Sequence, residues 1–389
     1  MQTTDWIVVG NGLAGAVLSY ELARQGRSVL LIDEASPDSG TRWSYGGIAY
    51  WSGTDEITKT LCQAGIERHR TLADELDSDT EFRELDLLLT ILKDEDVDAI
   101  ATQYRHYAIP PQLISAQAAC DLEPQLDRSA IAGALTVKHG HVDPVKTVTA
   151  FNQAFRRLGG QHLIATATGV VRIGDRVTGV TTAEQAYAAG QVAISAGAYS
   201  HRLLQSVGLQ VPLYYTHAEI IETPPVEASI QALVMPANAQ RFEMEDEVSQ
   251  PEKASLWQGS QQIAGPILDT GVIQFLDGSL RIGQISQVHS DLSPVSDPAM
   301  GEAKLRAAIA AQLPALKTVP GQWRHCLVTF SRDGLPLLGP LAGLEGLHLF
   351  SGFTSPFAML MPIAQRFVQW LEGQPDSLIE AMQVDRFQN

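Results

Sequence analysis

The sequence predicts an α/β region of parallel strands joined to an α+β region built on a mixed, largely antiparallel sheet. Three observations predict it. A glycine-rich turn separates an apolar strand from a helix near the N-terminus, and a second apolar strand follows that helix. Strand-like runs recur through the middle of the chain, with an Asp-Gly turn between the last two. The length, 389 residues, suits two domains of about 100–200 residues each.

The elements follow in order. Trp6-Ile7-Val8-Val9 is apolar and β-branched at three of its four positions, so it reads as a buried strand. Gly10-Asn11-Gly12-Leu13-Ala14-Gly15 interrupts it. Ala16–Gln25 has helical apolar spacing, and Gly26 can end that helix. Ser28–Ile32 is the second strand, with Asp33 at its end and Glu34 beside it. Strand, glycine turn, helix, strand and acid in this register form a dinucleotide fingerprint. Gly10 permits the tight turn, Gly12 lets backbone N–H groups reach a pyrophosphate, and Gly15 lets the helix pack on the strand. The helix N-terminus receives the phosphate charge. Asp33, or Glu34 in its place, accepts from ribose hydroxyls and argues against a 2′-phosphate.

Phe82–Leu92, Ile131–Lys138, His217–Glu222, Val272–Phe275 and Ser279–Ile285 read as strands, and Asp277-Gly278 turns the last two into a hairpin. Asp143 is placed to cap a helix opening at Pro144. Val192–Ile194 is a strand running into Ala196-Gly197, where backbone can approach a ligand. Glu302–Gln312 and Met361–Leu371 read as helices.

Lys and Arg number 27 against 44 Asp and Glu, a net charge of −17. Such a chain is a poor match for phosphate backbones or anionic membranes. Cys62, Cys120 and Cys326 make neither a disulfide framework nor a metal knuckle. No apolar run of about 18 residues marks a membrane span, and Met1–Asp5 leads straight into a strand. The expectation is a soluble, cytoplasmic protein whose partner is a small molecule. His139, His141, His217 and His325 lack ligand spacing with a nearby acid, so no metal site is expected. No G-x-S-x-G supports a hydrolase.

Over nearly its whole length the chain resembles the FAD-dependent oxidoreductases of the D-amino-acid oxidase, glycine oxidase and sarcosine oxidase superfamily. Gly10–Asp33 resembles their FAD fingerprint, including Glu21-Leu22-Ala23 and Gly26. Gly46-Gly47-Ile48 resembles the small-residue stretch that approaches the flavin. Gly140-His141-Val142-Asp143-Pro144 resembles their G-x-v-D-P, and Thr168-Gly169-Val170-Val171 resembles the strand whose valine backbone meets the adenine. Val192–Ser200, with Ala196 and Gly197, resembles V-v-x-A-x-G-a-w-s. Asp333-Gly334-Leu335-Pro336 opens a segment like D-G-x-P-x-I-G. The resemblance implies a Rossmann-like FAD-binding domain over 1–81, 140–208 and 321–389, interleaved with a substrate domain over 82–139 and 209–320. It implies oxidation of a C–N bond in a small amine or amino acid, with hydride passing to flavin N5, an imine product and oxygen reduced to hydrogen peroxide. A dehydrogenase using a quinone or carrier, action on a hydroxy acid, and an FAD-binding protein without oxidase activity stand as alternatives.

The chain also departs from that pattern. The arginine that grips the substrate carboxylate in glycine and D-amino-acid oxidases is Val328 here, and the sarcosine oxidase lysine is Met359. The C-terminal flavin loop keeps only the first glycine of G-h-x-G-x-G: it reads Gly352-Phe353-Thr354-Ser355-Pro356. Cys326 matches the cysteine bonded to flavin in the sarcosine oxidase branch, or is a small core residue. A bonded thiolate would need a cation beside it, for which Arg324 and His325 are placed. Arg281 stands where that branch has a lysine above the flavin, a fixed cation that assists oxygen reduction, or is a strand-end arginine in solvent. Arg42 is the best remaining anion anchor, or holds a phosphate or an acid. Tyr45, Tyr50 and Trp51 are either a box around the substrate or core.

Overall fold

The computed structural model describes residues 3–387 except Val295. The first strand, Thr4–Val9, is buried from Trp6 onward and pairs in parallel with Val29–Asp33 on one side and Ala186–Ile194 on the other. Gln161–Ile164 extends this parallel sheet beyond Val29–Asp33, and Leu347–Ser351 extends it beyond Ala186–Ile194. Leu337–Pro340 closes one edge antiparallel, and the hairpin Ala167–Ile173/Arg176–Thr182 leans off Ala186–Ile194. These are the strands of a Rossmann-like sheet, covered by helices Leu13–Arg24, Pro144–Arg157 and Pro356–Leu371. As expected, the Asp143 carboxylate caps the second of these, accepting from the Lys146 amide at 2.7 Å.

The second sheet has nine strands. Its order is Gln322–Ser331, Leu213–Glu222, Leu280–His289, Gln262–Gln274, Leu233–Pro236, Arg83–Leu92, Ile131–His141 and Gly47–Ile48, with Gln112–Ser115 also on Ile131–His141. Every pairing is antiparallel except Leu233–Pro236 with Arg83–Leu92, which is parallel. The mixed, largely antiparallel sheet predicted from sequence is therefore present. Two segments assigned by sequence to the cofactor side, Gly47–Ile48 and Gln322–Ser331, hydrogen-bond into this second sheet. Leu213–Glu222 is buried at nine of its ten positions, so it needs a partner strand on each side, and Gln322–Ser331 supplies one.

The cores sit on the sheet faces. One unites Leu18, Phe151, Phe155, Phe350 and Phe367 between the first sheet and its helices. Leu88, Ile282 and Leu305 belong to a core of the second sheet, to which helix Pro298–Gln312 contributes. Among the described residues no helix is long and apolar enough to cross a membrane.

Candidate active site

The chain builds its site where Val9 stops. Gly10 takes φ +104°, and a Cβ there would lie 2.5 Å from the Ser195 carbonyl oxygen. Gly15 comes closer still: its Cβ would meet the Gly10 oxygen at 1.7 Å, so only glycine lets the helix sit against the turn. Helix Leu13–Arg24 starts at Gly12 with no side-chain cap and no acid in its first turn. The Leu13 amide donates to Thr41 Oγ1 at 3.0 Å, and the rest of this positive end is left for an anion. The Asp33 carboxylate accepts from the Asn11 amide at 2.7 Å, which ties the turn to the second strand.

A cavity of about 1040 Å³ opens at this turn and runs under the second sheet. Small-molecule sites span about 300–1,000 Å³, so this one has room for a dinucleotide and a small substrate together. Gly10, Gly12, Leu13, Ala14, Asp33, Glu34, Gly47, Ala196, Gly197, Cys326, Gly352, Phe353 and Thr354 line it. Gly15, Gly46, Val170, Asp333 and Gly334 are not on its wall, and Thr166 and Ala167 face it in place of Val170. Asp333 instead receives a two-pronged grip from Arg386, Nε at 2.8 Å and Nη2 at 2.8 Å, which docks the C-terminal segment.

The residues present fit an FAD. The Asn11 Oδ1 and Thr354 Oγ1 atoms are buried on or beside this wall without a partner. A second helix, Pro356–Leu371, also opens at the cavity without a side-chain cap. Pro356 is its first residue, where an N–H has no helical partner in any case.

The far end of the cavity is aromatic. Trp43, Tyr45, Trp51, Tyr104 and Tyr107 line it, while Tyr50 does not. Trp51 and Tyr107 meet edge to face at 5.1 Å. The Tyr45 hydroxyl donates to the Gly283 carbonyl, and burial pushes its pKa upward. Trp51 Nε1 donates to His139 Nδ1 at 3.0 Å, which leaves the ring proton of neutral His139 on Nε2. That Nε2 is buried without a partner, 2.7 Å from where a Gly47 Cβ would be. Burial drives the His139 pKa down to about 3.

Arg281 is 6% exposed and is not in solvent. Its guanidinium donates to the Ser44 carbonyl and lies over Phe275 at 4.5 Å, so it braces the wall from behind. Arg42 is exposed, off the wall, with its guanidinium over Trp43 at 5.3 Å. Cys326 lines the cavity at 5% exposure, and burial pushes its thiol up to about 12. The cation acting on it is Arg281. Of the two neighbours expected to do this, Arg324 pairs with Glu222 at 3.2 Å and His325 bonds His217 at 2.9 Å. Val328 lines the cavity, so the usual arginine position faces the site without a charge.

Among the polar wall residues that sequence reasoning missed are His139, Arg241 and Asp269. Asp269 Oδ1 is buried without a partner. Arg241 Nε lies 3.6 Å from Glu245 Oε1. No local motif marks any of them. Among the described residues no group of three or more His, Cys, Asp or Glu is arranged to hold a metal ion.

Comparison with known proteins gives one family model, FAD dependent oxidoreductase (DAO), matching residues 5–370. Glycine oxidase of Pseudomonas putida is 27% identical over 385 residues, covering 94% of this chain and 94% of that one. Mouse mitochondrial dimethylglycine dehydrogenase is 23% identical over 394 residues, covering 95% of this chain and 43% of that longer protein. Among solved structures, glycine oxidase from Geobacillus kaustophilus superposes with a TM-score of 0.81 at 20% identity over 99% of both chains. L-Proline dehydrogenase from P. horikoshii superposes at 0.78 and 19% identity, over 100% of this chain and 98% of that one.

Proposed function

The chain belongs to the FAD dependent oxidoreductase (DAO) family, and from that premise we propose that it binds FAD and oxidises a C–N bond in a small amine or amino acid, with oxygen as acceptor. The observation that carries the reading is the single cavity joining a glycine turn and two uncapped helix N-termini to an aromatic chamber. Bound FAD supplies the electron acceptor for the C–N bond, chemistry that no side chain offers.

The protein's own part is binding, orientation and exclusion of water. Gly10–Gly12 and the positive end of helix Leu13–Arg24 hold the pyrophosphate, and Asp33 or Glu34 the ribose. Gly352–Thr354 and the start of helix Pro356–Leu371 present backbone donors to the ring. The aromatic wall keeps the reacting carbon dry, and His139 Nε2–H is a donor facing the chamber. Arg281 holds the Ser44–Tyr45 segment and adds a fixed positive charge behind it. The relatives named as glycine oxidase and dimethylglycine dehydrogenase support a C–N bond as the target. The unpaired Cys62, Cys120 and Cys326 support a reducing, cytoplasmic setting.

The test is anaerobic addition of an amine and amino-acid panel to the yellow protein. Bleaching of the flavin absorption by an amine, with peroxide formed when air returns, supports the reading. Bleaching without peroxide assigns a dehydrogenase. Bleaching by hydroxy acids alone, or by nothing in the panel, sinks it.

A further inference from the structure

Asp269 stands on strand Gln262–Gln274 with its side chain on the cavity wall. Its Oδ1 is buried and takes no hydrogen bond, and among the described residues the carboxylate makes no ion pair. A buried carboxylate oxygen left this way is costly unless an occupant supplies a donor or a positive charge. Burial raises its pKa, with Arg241 acting in the opposite direction. Arg241 does not neutralise it outright. Its Nε faces Glu245 at 3.6 Å, and Glu245 is itself buried, accepting from Thr216 Oγ1 at 2.6 Å.

The surroundings suit a cation equally well. Tyr45 and Tyr104 line the same cavity wall as Asp269. Aromatic faces beside a carboxylate attract an ammonium group through their quadrupoles as well as by direct charge. The position where an arginine would hold a substrate carboxylate is Val328, and Arg241, the wall arginine whose charge reaches Asp269, faces Glu245.

We propose that Asp269 holds the cationic nitrogen of the substrate against Tyr45 and Tyr104, so that the site admits small amines in their protonated form and turns away anions that lack one. This rests on the amine-oxidising reading above and narrows it. A hydroxy acid brings a carboxylate and no cation, so Asp269 repels it.

The experiment uses three probes of one shape: tert-butylammonium, tert-butanol and pivalate. None has a hydrogen on the carbon that bears the polar group, so none can be oxidised there. Each is titrated into the FAD-loaded protein and followed by the flavin absorption shift and by calorimetry. The cation should bind about tenfold or more tighter than the alcohol, with pivalate weakest, as a charge-assisted hydrogen bond requires. Asp269→Asn, isosteric and checked for flavin content, should erase the difference between cation and alcohol. Equal affinity for the two in the unaltered protein overturns the proposal and needs no variant. So does Asp269→Asn binding the cation within about twofold of wild type. The amine panel separates the two readings. An amine that bleaches wild type and keeps its KM in Asp269→Asn overturns the Asp269 assignment and leaves amine oxidation standing. Cation binding that Asp269 alone controls, with no amine bleaching the flavin, leaves the site and overturns the oxidation.

Discussion

A methyl group is enough to test the glycine turn. At Gly15 the added Cβ would press on the Gly10 backbone oxygen, which cannot rotate away. Gly15→Ala should therefore push the helix off the turn, cost about 1–3 kcal/mol or more in urea unfolding, and yield protein that no longer retains FAD. Wild-type FAD content in that variant would contradict this. Cys326 supports a second expectation. Its thiol is buried and its pKa is pushed up, so little thiolate forms at neutral pH. Acid precipitation should release the yellow colour to the supernatant, and Cys326→Ser should keep its flavin; colour in the pellet would show a covalent link. The glycines were legible in the sequence because tight turns and close backbone approach are local demands. His139 was not, because its partner Trp51 lies far along the chain, and Asp269 and Arg241 were not, because only the fold brings them to the cavity wall. His139 was visible only as one scattered histidine, although Trp51, its partner, was already suspected of lining a box.

Helix against helix, the charged contacts differ greatly in weight. Glu21, 1% exposed on helix Leu13–Arg24, is held by Arg68 from helix Glu56–Leu76 and by Arg24 at 2.9 Å. Arg68 also reaches Glu75 at 2.7 Å and the Met361 carbonyl at 3.1 Å, so one guanidinium joins three helices. Burial raises the Glu21 pKa, and the two arginines offset that. Arg68→Met leaves a buried acid with one partner fewer and should cost about 3 kcal/mol. Glu21→Gln in the same chain should recover part of this. Arg27 and Glu372 form a pair at the surface, where the side chains are 42% and 36% exposed. Arg27→Ala should cost less than about 1 kcal/mol. Chemical denaturation of the variants separates these outcomes. At this scale the sequence was a fair guide where its signals were local. The Asp143 cap and the Asp277-Gly278 turn are where they were expected. The strand Gln262–Gln274 was recognised only at its end, because Gly265, Pro266 and Gly271 interrupt the alternation that marks a strand.

For the molecule as a whole, acid should be felt early. His69, His139, His141, His217 and His348 are all buried, and burial lowers their pKa values to about 4, 3, 3, 4 and 4. In the unfolded chain each titrates at its ordinary 6.5. The folded pKa is depressed, so stability is intact above pH 6.5 and is lost as pH falls from there toward the folded values. The loss is at most about 1.4 kcal/mol per pH unit for each histidine. Urea midpoints that stay level from pH 7 to 5 would contradict the assignment of these rings as neutral. The two-sheet plan was legible because several weak motifs fall in a fixed order, and the family and fold it implied are those found. The membership of Gln322–Ser331 was not, because a strand's sheet is settled by which neighbour needs covering, and Leu213–Glu222 is distant in sequence.

The chain passes from the first sheet to the second, back, across again and back once more before it ends. A nick near the exposed Gly208 and Gln210 would divide the molecule close to its midpoint. The leading fragment would carry Ala186–Ile194 and Arg83–Leu92, and the trailing one their partners Leu347–Ser351 and Leu233–Pro236. Neither piece owns a complete sheet. The halves should co-purify as one yellow species and part only in denaturant, and two genes encoding them should rebuild the enzyme when expressed together.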